Sequence, residues 1–365
     1  MAGEPDRAHW NNATRGVILR GTMLGERAVK SLKPISLGVV LLASTATITR
    51  AEDVEAFYKG KTLFALVGVS AGGEYDFQLR LVAKHIGRFI PGHPAVVAQN
   101  MVGATGMVMA NYLYRVAPKD GTYIGLIQNG LPTSQSVGME GVQFDASKFN
   151  WIGSIAPTAE TITTWKTTGV KTIEDAKKSE VIVGAVGSSG ITISFPLMLN
   201  DLAGTKFKIV AGYTGSGALD LAMERGEISA RANAWSSLKA SKPDWIARKD
   251  VNIIVNSGPN QPDLADVPSM EDVVTKPADR EVVDIVTAGD RLGHPFAMAP
   301  GVPAERVEAM RNAFADMLKD EEFRKDAAAA KLDIDAVGAD ALLAAAQAAL
   351  NASPDAKVRA RKYFQ

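Results

Sequence analysis

Along the chain, short apolar runs alternate with segments in which apolar residues recur every three or four positions, the pattern of α/β layers around a parallel sheet. A first strand is expected over 63–69 and a helix over 76–89. On that helix Leu79, Val82, Ile86 and Phe89 share one face while Arg80, Lys84 and Arg88 share the other, so its role is to cover the sheet. A strand at 95–98, a helix at 107–116 and a strand at 123–127 continue the rhythm, the last following the turn Pro118-Lys119-Asp120-Gly121. Residues 128–148 then carry Asn, Gly, Pro, Ser and Gln without a period. A first crossing between domains is placed there or soon after.

A second series follows, with strands at 181–185, 207–210, 228–233 and 251–255 and helices at 193–202 and 218–225. The Pro- and Asp-rich loop 256–268 breaks it, and 296–299 reads as one more buried strand returning to the first domain. After Pro303, Val307, Met310, Phe314, Met317 and Leu318 recur at helix spacing. Ala-rich segments near 326–350 and the basic run Lys357, Arg359, Arg361 and Lys362 read as solvated outer helices. The expected organisation is one domain from 52–155 with 285–365, and a second from 156–284. No repeat of solenoid length is present.

The N-terminus departs from this pattern. Arg27, Lys30 and Lys33 precede an apolar run from Ile35 to Ile48, and small residues lead to Ala51 before the acidic Glu52 and Asp53. That is the layout of a cleavable export signal, with Met23 as the expected start of translation. The run is shorter than the roughly 20 residues a bilayer span needs.

Composition narrows the chemistry. The 365 residues carry 40 basic and 40 acidic side chains, four His and no Cys. Residues 1–51 hold seven of the basic and three of the acidic groups, so the exported part is mildly acidic, 33 against 37. This balance argues against a nucleic-acid partner, and the absence of Cys with so few His argues against a zinc site. Neither cofactor nor metal is expected.

Three glycine-rich bends share one context, after a strand and before a helix: Ser70-Ala71-Gly72-Gly73 leading to Asp76, Val102-Gly103-Ala104-Thr105-Gly106, and Gly187-Ser188-Ser189-Gly190. Unpaired amides at a helix start carry partial positive charge, and such crevices at strand ends are where open α/β sheets bind ligands. No P-loop lysine and no dinucleotide fingerprint accompanies them. Gly68-Val69-Ser70-Ala71-Gly72 also matches a nucleophile elbow, which makes a hydrolase with Ser70, His294 and Asp284 or Asp290 the alternative enzymatic reading. Against it, no earlier strands exist to build the sheet of that fold. His85 and His93 read as structural, and Trp165, Trp235 and Trp245 as either cleft lining or core, with core preferred. Asn233, ending a strand, is expected to face a crevice.

At Ala71-Gly72-Gly73 followed by Asp76 and Arg80, the chain resembles the periplasmic solute receptors of tripartite tricarboxylate transporters, the Bug family. The similarity continues through Asn100 to Gly106, Ala117 to Tyr123, Gly212-Tyr213-Thr214-Gly215-Ser216 and Asp263 to Glu271. Val102, Thr105 and Gly212 depart from the family pattern, and Glu74 sets a negative charge beside the first bend. The resemblance implies a two-domain periplasmic-binding-protein clamshell of the Venus flytrap, type II-like, plan. It also implies a monomer in the periplasm, without enzymatic activity, that passes a small carboxylate to integral-membrane permease subunits. A sensory protein serving a membrane kinase would share that cleft. Carried over, Ala71, Gly72, Gly73 and Asp76, with Gly103, Ala104 and Thr105, would hold the ligand from the first domain, and Ser70 at the head of the first bend is expected beside them. Ser188, Ser189 and Tyr213 would contribute from the second, joined by Asn233 on the strength of its place at a strand end.

Overall fold

The computed structural model describes residues 53–186, 190–258 and 262–364. The expected export signal and the start at Met23 lie outside the described residues, as do Ser188 and Ser189.

Eleven strands are formed among the described residues: β1 (Thr62–Val67), β2 (Ala95–Asn100), β3 (Tyr123–Leu126), β4 (Asn150–Ser154), β5 (Glu160–Trp165), β6 (Val181–Val186), β7 (Phe207–Tyr213), β8 (Ala230–Ala234), β9 (Val251–Asn256), β10 (Pro295–Met298) and β11 (Val337–Gly338). They build two sheets, ordered β11-β4-β10-β3-β1-β2 and β7-β6-β8-β5-β9. Helices in the first half are α1 (Val54–Tyr58), α2 (Glu74–Ile86), α3 (Met107–Arg115), α4 (Leu131–Ser136), α5 (Ile173–Lys178), α6 (Ile191–Ala203) and α7 (Ser216–Glu224). They continue as α8 (Trp235–Ser241), α9 (Pro243–Ala247), α10 (Met270–Val273), α11 (Pro277–Leu292), α12 (Ala304–Met317), α13 (Glu321–Ala329), α14 (Ala339–Asn351) and α15 (Pro354–Arg361).

The expectation of parallel sheets is corrected. β1 is parallel to both β2 and β3, and β6 to both β7 and β8, as the alternating pattern requires. β10, however, runs antiparallel between β3 and β4, and β5 runs antiparallel between β8 and β9. Each of the two is the first strand after the chain has passed from one sheet to the other. A chain that arrives from a different layer has no crossover helix to set its direction, so it enters the sheet reversed.

Each sheet carries its own core. Leu79, Val82 and Ile86 of α2 pack with Leu63, Ala65 and Val67 of β1 and with Phe314 and Met317 of α12, as the helical period predicts. Burying each of the larger side chains is worth about 1.5 to 3 kcal/mol. In the second sheet Val181, Val183, Ala230 and Ala232 pack with Phe195 and Leu199 of α6 and with Val282, Val283 and Val286 of α11. The last segment of the chain joins this second cluster through Ala356, Ala360 and Tyr363. The result is two α/β lobes joined by the segment between β4 and β5, by the α11 to β10 connection, and by the chain's end.

Candidate functional site

The bends that follow β1 and β2 lie side by side because their strands pair in register from Thr62 with Ala95 to Val67 with Asn100. They touch at Gly68 and Gly106, where a Cβ on Gly68 would come within 2.4 Å of the Gly106 Cα. Only two glycines let the backbones approach this closely.

Asp76 organises the first bend from beneath. Its carboxylate is buried and accepts from the Gly72 amide (2.9 Å), Arg80 Nε (3.0 Å) and Asn100 Nδ2 (2.7 Å). Chiefly through Arg80, these bonds hold its carboxyl down at about 2. Asn100 also donates to Val69 O (2.9 Å), so the end of β2 is tied to the bend after β1. Asp76 is therefore committed to bracing the bend, and so is the Gly72 amide. Among the described residues the amides of Ala71 and Gly73 donate to no protein acceptor, and the surfaces of Ser70, Ala71, Gly72 and Gly73 are exposed.

The second bend is strained. Ala104 and Thr105 have φ of 44° and 51°, between Gly103 at 154° and Gly106 at 85°. Residues with a Cβ adopt this region at a cost of order 1 kcal/mol or more each, and such outliers concentrate where they are used. The amides of Gly103, Ala104 and Thr105 likewise donate to no acceptor among the described residues. Successive unpaired amides on left-handed backbone form a concavity suited to an anion.

In the second lobe β6 pairs with β7, setting Val186 opposite Tyr213. Tyr213 is half-buried and packs against the cluster of Leu219, Met223 and Trp235. Asn233 is buried in β8, where its Nδ2 donates to Thr161 Oγ1 (3.1 Å) and its Oδ1 has no hydrogen-bond partner.

Between the lobes lies a cleft of about 650 Å³, lined by α2, the β4–β5 crossover, α8, His294 and residues 330–335. Glu74 and Phe77 of α2 look into it opposite Trp235 and Lys239 of α8. The first turn of α2 then meets a buried set of ionisable groups at the crossovers. The Tyr75 ring lies against the His294 ring at a centroid distance of 4.3 Å, and its hydroxyl accepts from the Asn129 amide (3.1 Å). Ser257 Oγ donates a short hydrogen bond to Asp290 and accepts from the Glu160 amide (3.0 Å). Glu160 Oε2 is buried without a partner.

Burial, with Asp290 and Glu74 nearby, pushes the Glu160 carboxyl up to about 8. Burial also raises Asp290, to about 7, and raises Glu74 above the usual carboxylate range. The same desolvation drives His294 down to about 4, so it is a neutral imidazole facing Glu74 Oε1 at 3.7 Å. The crossovers thus hold several carboxyl groups with little compensating charge.

Comparison with known proteins bears on the fold. No family model matches the chain, and no curated protein matches it. Among solved structures, a TctC solute-binding protein from Polaromonas without ligand is 18% identical with a TM-score of 0.65, over 82% of this chain and 98% of its own. MatC from Rhodopseudomonas palustris, solved with bound malate, is 16% identical at a TM-score of 0.56, over 81% and 99%. A further R. palustris protein, solved with adipate, is 16% identical at 0.55, over 83% and 97%. The chain has the fold of a solute-binding protein. The two-lobed α/β clamshell expected from the sequence is the architecture found.

Within the solute-binding fold, the hydrolase triad weighed from the sequence is dispersed. Ser70 is exposed on its bend, His294 faces Tyr75 and Glu74, Asp290 accepts from Ser257, and Asp284 pairs with Arg291 (3.0 Å). Sequence reasoning missed Glu160 and the cleft position of Phe77; Trp235 is buried in a core cluster and His294 lies in a bend, as expected, and both also line the cleft. The one available signal was Asp290. It stands one and two helical turns after Val286 and Val283, on the apolar face of a helix not predicted.

Proposed function

We propose that this chain is an exported receptor that captures a small organic carboxylate between its two lobes and delivers it to the permease subunits of a tripartite tricarboxylate-type transporter. One observation carries the reading: the unpaired amides of Ala71, Gly73, Gly103, Ala104 and Thr105 on two touching bends, the second kept in a strained left-handed conformation. Backbone that costs free energy and leaves donors open is explained by an acceptor that fills them. Each charge-assisted hydrogen bond contributes about 1.5 to 3 kcal/mol, so three or four offset the cost of association and reach micromolar affinity. Support also comes from the malate and adipate in solved proteins of the same fold. Lobe closure would then be selected by contacts made only in the shut state.

The test is a thermal-shift screen of the purified protein against mono-, di- and tricarboxylates and neutral sugars. A ligand bound only by the native state raises the melting temperature. The expected result is a rise with one class of carboxylate and none with sugars; a response to sugars alone overturns the proposal.

A further inference from the structure

The cleft that Glu74 enters directly after Gly73 of the first bend, although no residue of either bend is among its lining, has the wrong charge for a simple polyanion. Among its described lining residues, three carboxylates, Glu74, Asp333 and Asp335, stand against two lysines, with His294 neutral. Both lysines are engaged. Lys239 Nζ is shared between Asp263 (2.9 Å) and Asp333 (2.7 Å), and Lys331 Nζ reaches Ala240 O at 3.4 Å. Glu74 is different. Its side chain is 51% exposed, and its polar contacts are the Gln78 amide at 3.3 Å and the uncharged His294. One turn along the same face, Phe77 presents a ring that is 42% exposed to the same space. Behind them the buried Glu160 Oε2 has no hydrogen-bond partner.

Resting on the carboxylate-receptor reading, we infer that the ligand is a zwitterion: its carboxylate meets the amides of the two bends, and a positively charged nitrogen sits against Glu74 and the face of Phe77. An ammonium or alkylated ammonium group satisfies a half-desolvated carboxylate and an exposed aromatic ring together. A second carboxylate at that place would meet Glu74 as a like charge. Glu74 is in this account the residue that selects against plain dicarboxylates.

The experiment is calorimetric titration of the full chain with isosteric pairs over a range of chain lengths. Each pair is an ω-amino carboxylate and the plain carboxylate in which a methyl replaces the ammonium; matched dicarboxylates form a third series. The amino member of the best-fitting pair is expected to bind about tenfold tighter than its isostere. Glu74→Gln should erase that ratio without lowering the melting temperature, and Glu74→Asp, which keeps the charge, should retain most of it. Equal or tighter binding of the plain carboxylates or dicarboxylates, or a ratio unchanged in Glu74→Gln, overturns the zwitterion inference and leaves the carboxylate receptor standing. Failure of every member of all three series to bind overturns both.

Discussion

Helix α2 places ionisable groups at both of its ends, and the two ends treat them differently. At the C-terminal end His85, Asp320 and Glu322 converge, but the Arg88 guanidinium lies among them. It bonds Glu322 (2.5 Å), Asp320 (2.9 Å) and His85 Nδ1 (2.8 Å), while Lys84 and His85 Nε2 share Asp326. Charges are matched, and basic groups at a helix C-terminus also suit its dipole. At the N-terminal end Glu74 meets Glu160, Asp290 and a neutral His294 with little to balance them. Matched charges hold α2 to α13 and ask for no ligand. The uncompensated buried carboxyls there cost stability, while the half-exposed Glu74 remains available to a bound molecule.

The largest expected contrast between the two ends is in pH dependence. The raised carboxyls of Glu160 and Asp290 keep protons in the native state that the unfolded chain has already released, so stability falls as pH rises from the ordinary carboxylate range to about 8. His294 works in the other sense, since its lowered value costs stability only as pH falls from 6.5 toward 4. Above pH 6.5 His294 no longer contributes, and the raised carboxyls set the slope. Denaturant titrations should show stability declining there by up to about 1.4 kcal/mol per pH unit for each group still protonated. Glu160→Gln should remove much of the decline and be the more stable protein at pH 8; an unchanged slope would mean the crossover carboxyls are compensated after all.

A smaller effect is expected at the other end. Arg88→Ala leaves the acids beside His85 with only Lys84, yet the network is exposed to solvent. The melting temperature should drop by about 2 °C in low salt, and the difference should shrink as salt is added. A loss of ligand affinity in this variant, with none in Glu74→Gln, would invert the comparison.

Much of this was readable from residues. The buried face of α2 follows from Leu79, Val82 and Ile86 at helical spacing, and the bend at Ala71-Gly72-Gly73 from its composition. β5 was not legible because Thr161, Thr163 and Thr164 read as polar while all three are buried. Their burial is possible because Thr161 Oγ1 donates to Asn233 O (3.0 Å) and Thr164 Oγ1 to Val170 O (2.7 Å), partners that only the fold brings near. The reversed entry of β5 and β10 was hidden for a similar reason, since a hydrophobic pattern has no direction. Asp76 was expected among the ligand-holding residues, whereas the brace it forms depends on Asn100, a neighbour supplied by strand register.

If backbone amides on the two neighbouring bends grip a carboxylate, amide hydrogen exchange reads those groups directly. With the tightest carboxylate from the thermal screen bound, exchange should slow at Ala71, Gly73, Gly103, Ala104 and Thr105 beyond the general slowing caused by lobe closure. Protection confined to other segments, with these five amides exchanging as they do in the free protein, would contradict it.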